Sequence, residues 1–232
     1  MATDLWPIIH RLSHLLEAKG ELQAAEASGN MSKATVLRTE LESTSHAIEL
    51  ALTNWVPSIP SIPTSPPHGE SELDLDQASD SRLQSILNNA EAYRQAAFVY
   101  LYKEIEGYPR RSKKVQQHSK LALQACERVV DWAGPMSALL WPLFVSSCEA
   151  VEFEDREMAR RAFGGTERYN LLSYEPTVVE VCINLTESRR QGMNNIARAW
   201  EIVEEVWRRD DMGEEADWRN ICAEKGFSIV FG

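Results

Sequence analysis

Two histidines near the start of the chain have the spacing of a metal-binding pair. His10 and His14 are four residues apart, and Glu17 follows three residues later, so the three side chains would share one face of a helix. Two histidines at that spacing can bind zinc. The HExxH motif is absent, however, and Leu15 and Leu16 occupy the adjoining surface. We therefore interpret the three as a polar helix edge, and we predict no metal site and no cofactor.

One carboxylate, Glu149, comes near the end of the most apolar stretch of the chain, residues 139–150. A buried carboxylate must be paired or protonated. One interpretation is a structural ion pair with Arg156, seven residues further on, or with the neighbouring Arg160 and Arg161. The alternative is that Glu149 is a polar group in the wall of a ligand cavity.

Aromatic residues of this stretch and of the predicted helix 79–106 could form the walls of such a cavity, since aromatic walls with few polar groups suit apolar ligands. The candidate ligand-binding residues are Tyr93, Tyr100, Trp141, Phe144 and Glu149. No sequence motif indicates catalysis: the chain has no GxSxG element and no phosphate-binding GK[ST] loop. We therefore predict no catalytic residue.

The cysteines and the basic turn carry no strong functional signal. The four cysteines are at least 22 positions apart, without a CxxC pair, and indicate reduced, mostly buried thiols: Cys126, Cys148, Cys182 and Cys222. A basic turn over residues 110–114 is interpreted as a solvated turn, with binding of an anion or an acidic partner as the alternative: Arg110, Arg111, Lys113 and Lys114.

Charge and hydropathy limit the function classes. The formal net charge is -11, and an acidic chain repels the phosphate backbone, so we predict no direct contact with nucleic acid. The longest apolar run, residues 138–145, is far short of the roughly 20 residues of a membrane span, and no signal peptide opens the chain. We therefore expect an intracellular protein, nuclear or cytoplasmic.

Apolar periodicity predicts helices along the whole chain. Their expected bounds are about 4–18, 32–55, 79–106, 113–132, 135–150, 154–163, 195–207 and 216–224. Residues 177–185 have β-type propensity, but we expect a helix there too, because the sequence offers no second strand to pair with it. We expect Gly20 and the pair Gly164–Gly165 to end helices, Ser32 and Asn194 or Asn195 to cap them, and Pro142 to kink the apolar helix. Residues 56–76 are rich in proline and serine and predict a loop, and the apolar tail 227–231 should dock onto the body.

Several of these segments, in matching order, resemble the fungal-specific transcription factor domain, the regulatory region that follows a zinc-cluster DNA-binding domain. The similarity lies in LLWPLF (139–144) with CEA (148–150) and DR (155–156), and in residues 4–15, 92–102, 191–195, 200–210 and 217–219. The resemblance implies an all-α regulatory domain that often dimerises and responds to signals or metabolites. The six closely spaced cysteines of a zinc cluster are not in this sequence.

We therefore predict one all-α domain over residues 1–232, an antiparallel bundle or helical array of about eight to ten helices. We expect an effector domain of a zinc-cluster-type regulator that forms a homodimer and binds a partner or a small metabolite rather than DNA or a membrane. Two origins stay open: a domain excised from a longer regulator, or a stand-alone relative. The alternative function belongs to the second origin, a transcription-factor-like protein repurposed as a small-molecule-binding protein or enzyme of fungal secondary metabolism.

Overall fold

The computed structural model describes residues 4–57, 72–132, 134, 138–172 and 183–226. Over these residues the chain forms eight α-helices and no strand, which confirms the predicted all-α fold. The helices are α1 (Leu5–Ala27), α2 (Met31–Asn54), α3 (Glu72–Tyr100), α4 (Lys113–Asp131), α5 (Leu140–Glu149), α6 (Phe153–Leu172), α7 (Ile183–Met212) and α8 (Trp218–Lys225). None of these described helices is long and apolar enough to cross a membrane. The predicted tail 227–231 and most of the predicted helix 177–185 lie outside the described residues.

The first two helices form a hairpin that is longer than the sequence predicted. Helix α1 was expected to end at Gly20, but it continues to Ala27. Beyond Gly20, Leu22 and Ala25 are buried against Ala34 of α2, and this burial outweighs the roughly 1 kcal/mol that one glycine costs a helix. The turn comes instead at Gly29, whose φ of 73° suits glycine.

Two other helix starts differ from the predicted ones. Helix α2 is capped by Asn30, whose side-chain oxygen accepts a hydrogen bond from the Lys33 N–H at 3.1 Å, rather than by Ser32. Helix α3 begins at Glu72, so the predicted loop 56–76 is too long at its C-terminal end. Acidic residues are favoured in the first turn of a helix, so the sequence ELDLD at 72–76 is compatible with this earlier start.

Helix α3 passes directly into a short π-helical segment, Leu101–Ile105, so that the helical stretch ends close to Glu106 as predicted. Gly107, with a φ of 74°, then reverses the chain. The Ser112 side chain caps α4 by accepting a hydrogen bond from the Val115 N–H at 3.3 Å. Helix α3, the π-helical segment and α4 pack against one another.

Pro142 does not kink a helix, because α5 begins at Leu140. Pro142 is therefore the third residue of the helix, where a backbone N–H has no partner within the helix and its absence costs nothing. The first regular hydrogen bond runs from the Leu143 N–H to the Leu139 carbonyl at 3.0 Å. Every residue of α5 from Pro142 to Glu149 is buried, in contact with α3, α4, α6 and α7.

The pair Gly164–Gly165 does not end α6, which continues to Leu172. Gly165 lies so close to α4 that a Cβ atom there would overlap Cγ1 of Val130, whereas a Cβ on Gly164 would meet nothing within 4 Å. Gly165 is thus a packing residue that lets two helices approach. The predicted cap at Asn194 or Asn195 is also wrong, because α7 begins at Ile183 and runs through both residues.

Candidate functional site

A small cavity opens among α1, α3, α5 and α8. Its volume is about 170 Å³, and it has three aromatic walls among otherwise mostly aliphatic side chains: Ile9, Leu12, Ser13, Tyr100, Trp141, Val145 and Trp218. We call this cavity the aromatic pocket. Concave apolar sites with a few polar groups are the usual form of small-molecule sites in proteins.

Local sequence features position the three aromatic side chains. Trp141 and Val145 are one turn apart on α5, so they share a face of that helix. Trp218 is the first residue of α8, and Asp217 fixes that end by accepting backbone hydrogen bonds from Arg219 at 2.7 Å and Asn220 at 3.4 Å. The N-terminal cap of α8 therefore determines where the Trp218 ring lies.

Of the five predicted ligand-binding residues, two line the pocket, two pack against lining residues, and Glu149 lies away from it. Tyr100 and Trp141 line it. Tyr93 stacks on Trp141, with ring centroids 5.4 Å apart, and Phe144 meets Trp218 edge-on at 5.2 Å, so these two support lining residues from behind. Burial raises the pKa of Tyr93 to about 12, with a smaller contribution from Cys126, which keeps its hydroxyl neutral.

Glu149 does not line the pocket. It lies one helical turn beyond Val145 on the same face of α5, and its side chain is buried. Within the described part of the chain its Oε2 atom has no hydrogen-bond partner. Burial raises the pKa of Glu149, opposed chiefly by the nearby positive charges of Arg110 and Lys103.

The predicted pairing of Glu149 with arginines of α6 is not formed. Arg156 instead binds Asp211 through Nη1, at 2.8 and 2.9 Å, and approaches Asp210 at 3.3 Å. Arg160 pairs with Glu157 and Arg161 with Glu127. The acidic end of α7 therefore binds Arg156. The positive charge with the largest effect on the pKa of Glu149 is that of Arg110 in the basic turn.

The C-terminal end of α5 is held by side chains of three other helices and of the turn before α4. The last carbonyl groups of a helix have no partner within it; here those of Ser146, Ser147, Glu149 and Ala150 accept hydrogen bonds from side chains. The donors are Ser119 (2.7 Å), the Trp207 indole (2.8 Å), Gln116 (2.7 Å), Arg110 (3.0 Å) and Arg156 (3.3 Å). The CEA and DR elements of the sequence thus form a buried joint between helices.

An ion pair lies beside the Tyr100 and Trp218 walls of the aromatic pocket. The Arg219 guanidinium lies over the Trp218 ring, 4.4 Å from its centroid, donates to the Tyr100 hydroxyl at 3.2 Å and pairs with Glu104. Lys19 donates to the Glu104 carbonyl oxygen at 2.5 Å. Burial lowers the pKa of Lys19, with smaller contributions from the positive charges of Arg219 and Lys103.

The histidine pair and the basic turn are occupied by local contacts. The Nε2 atoms of His10 and His14 are 3.3 Å apart, and Glu17 lies 4.0 Å from the other nitrogen of His14, yet no group of three metal-ligand side chains that could hold an ion occurs among the described residues. In the basic turn, Arg111 binds Asp210 at 3.0 Å and Lys114 lies 3.4 Å from Glu49.

The basic turn is therefore not simply solvated. Its Arg110 side chain is nine-tenths buried and lies 3.7 Å from Asp210, and Lys114 stacks over the Tyr102 ring at 4.5 Å. The three cysteines within the described residues, Cys126, Cys148 and Cys222, are buried and unpaired, as predicted. Burial raises the pKa of each thiol, which keeps them protonated and unreactive. Cys182 lies outside the described residues.

Sequence reasoning missed five of the seven lining residues, because they come from separate helices that meet only in the fold. Trp218 was noticed only as part of the DWR element, and Val145 only as part of the apolar run. Ile9 and Leu12 were assigned to the apolar stripe of α1. The one signal available was that the DWR element places an aromatic and a cationic side chain next to each other at a capped helix start.

The fold and the pocket define an all-helical domain with an aromatic-walled cavity. The family model for the fungal specific transcription factor domain matches residues 2–232, and the chain belongs to this family. Comparisons with curated proteins and with solved structures found no match. The chain therefore has a role in transcription regulation.

Proposed function

We propose that this chain is the effector domain of a fungal zinc-cluster-type transcription regulator and that it binds a small metabolite in the aromatic pocket. The observation that carries the proposal is the cavity of about 170 Å³ lined by Tyr100, Trp141 and Trp218. Its aromatic and aliphatic walls with few polar groups have the form of a small-molecule site. We further propose that residues 1–232 form one domain, in line with the extent of the family match.

The charges of the chain support a role that excludes direct DNA binding. The net charge is -11, and three of the four basic residues at 110–114 approach acidic side chains: Arg110, Arg111 and Lys114. Nonspecific affinity for DNA depends on cations that are free to replace counterions at phosphates. In this proposal DNA contact belongs to a separate zinc-cluster domain, and this chain transmits the metabolite signal as a nuclear homodimer.

Native mass spectrometry of the protein purified from a fungal host tests the proposal directly. We expect a retained small molecule and the mass of a dimer. The control is the Trp141→Ala variant, which removes one wall of the pocket and should lose the molecule while remaining folded by circular dichroism. An empty wild-type protein, with no stabilisation by any compound of a metabolite library in a thermal-shift screen, would contradict metabolite binding.

DNA binding is tested separately by selection from a random-sequence duplex pool at physiological salt. We expect no enriched sequence. Recovery of a specific operator by this chain would overturn the division of roles proposed here. A green fluorescent protein fusion in the host tests nuclear localisation.

A further inference from the structure

Tyr100 is the lining residue of the aromatic pocket that combines an aromatic ring with a hydroxyl. The hydroxyl oxygen accepts a hydrogen bond from Nη2 of Arg219 at 3.2 Å. Within the described part of the chain, no residue accepts the Tyr100 proton in return, so the O–H is available to donate to a bound ligand. A donor that itself accepts from a guanidinium is polarised and donates more strongly.

A cation lies directly beside this donor. Arg219 has five N–H donors, of which its contacts with Glu104 and Tyr100 use only part. Its guanidinium also lies 4.4 Å from the centroid of the Trp218 ring, which lines the pocket. The carboxylate of Glu104 pairs with Arg219 and is the group that competes for it.

The space between the walls of the pocket has room for about one ring. Its volume is about 170 Å³, and an apolar protein cavity of about 150 Å³ is known to hold one benzene molecule. Two indole walls and a phenol wall favour a planar aromatic guest, because offset stacked and edge-on ring contacts contribute about 0.5–1.5 kcal/mol beyond burial.

We propose that the aromatic pocket binds a single-ring aromatic carboxylate, with its ring against Trp141 and Trp218 and its carboxylate on the Tyr100 hydroxyl and the Arg219 guanidinium. This inference rests on the proposed function, because it names the ligand class of the same site. It assigns ring recognition to α5 and the start of α8, and charge recognition to Tyr100 and Arg219.

Isothermal titration calorimetry with benzoate, and with benzyl alcohol as its uncharged counterpart, tests the ligand class. We expect benzoate to bind the wild type at least about tenfold more tightly than benzyl alcohol, since a hydrogen bond to a charged group is the stronger kind. Tyr100→Phe keeps the ring and removes the donor, so it should weaken benzoate binding about tenfold and weaken benzyl alcohol binding by a smaller factor, because benzyl alcohol accepts only a neutral hydrogen bond. The matched control is Tyr93→Phe, which removes the hydroxyl of the neighbouring tyrosine that does not line the pocket.

A second variant tests the same proposal through an expected gain of benzoate affinity rather than a loss. Glu104→Gln removes the carboxylate that competes for Arg219, so it should tighten benzoate binding severalfold without affecting benzyl alcohol. A destabilised protein would bind both probes less well, so tighter binding of benzoate alone identifies charge recognition. Circular dichroism and thermal unfolding of each variant confirm that it is folded.

The outcomes separate this inference from the proposed function. Equal binding of benzoate and benzyl alcohol would overturn the carboxylate assignment while the pocket remains a metabolite site. Equal losses in Tyr100→Phe and Tyr93→Phe would overturn the role of Tyr100. If neither probe binds the wild type, the ligand class proposed here is wrong, and the proposed function is then decided by the molecule retained in native mass spectrometry.

Discussion

The two adjacent glycines of α6 should respond to alanine in opposite ways. A Cβ atom on Gly164 would meet nothing within 4 Å, whereas one on Gly165 would overlap Cγ1 of Val130 and lie 3.4 Å from the two other side-chain carbons of that valine. Both positions are helical, so each substitution gains about 1 kcal/mol of helix propensity. At Gly165 this gain is opposed by about 1–3 kcal/mol of overpacking between α4 and α6.

We therefore expect Gly164→Ala to unfold at a higher temperature than the wild type, and Gly165→Ala to unfold below Gly164→Ala by roughly 2–12 °C for a protein of this size. Val130→Ala supplies the rescue. In that background the overlapping carbon is gone, so Gly165→Ala should become stabilising by about 1 kcal/mol. Differential scanning calorimetry of the four proteins of the cycle gives the coupling between positions 130 and 165, which should be about 1–3 kcal/mol. A coupling near zero, or equal melting temperatures for Gly164→Ala and Gly165→Ala, would refute the argument that Gly165 sets the approach of these helices.

Two further expectations concern a buried carboxylate and a helix cap. Because burial raises the pKa of Glu149 in the folded state, the folded protein binds a proton that the unfolded chain releases near pH 4.3, and stability is lost as pH rises from there through the raised value. The stability of Glu149→Gln relative to wild type should therefore increase with pH across this window in urea titrations, and a difference that does not change with pH would show that the pKa is not raised. Asp217→Ala removes the two backbone hydrogen bonds that begin α8 and should lower the free energy of unfolding by about 1 kcal/mol; Asp217→Asn, which still accepts both bonds, should lose much less.

The sequence was a good guide to which segments are helical, and a poor guide to where several of them end. Local rules place a helix stop at Gly20 and at Gly164–Gly165, yet both helices continue because residues on either side are buried against a neighbouring helix. Helices α4 and α8 show the opposite case: their predicted starts at 113 and 216 lie within two residues of the observed ones, and a capping side chain, Ser112 or Asp217, stands directly before each helix. Helix ends that depend on tertiary contacts cannot be located from local propensity alone.

The candidate site shows the same division between local and tertiary information. Tyr100 and Trp141 were identified because aromatic residues near an apolar run are visible in the sequence, but Tyr93 and Phe144 are equally aromatic and lie behind the walls. Which of these four aromatic side chains faces the cavity depends on the rotation of α3 and α5 relative to α1 and α8. The spacing of residues within one helix does not determine that rotation. Glu149 was expected in the same cavity or in an ion pair with α6, and it lies in neither place.

The amino-acid composition of α5 reflects its contacts with the aromatic pocket near its start and with α4 and α7 at its end. Near its start, Trp141 and Val145 face the aromatic pocket, and at its end the carbonyl groups of Ser146, Ser147 and Glu149 are bound by side chains of α4 and α7. A helix of ten residues is about 15 Å long, so the pocket and the joint are at most that far apart along one rigid element. Most side chains of α5 are apolar because four helices enclose it, and the backbone carbonyl groups at its end are satisfied by side-chain donors. The LLWPLF and CEA elements are therefore the two ends of one buried helix. The first end contacts the proposed ligand site, and the second packs against α4 and the C-terminal part of α7.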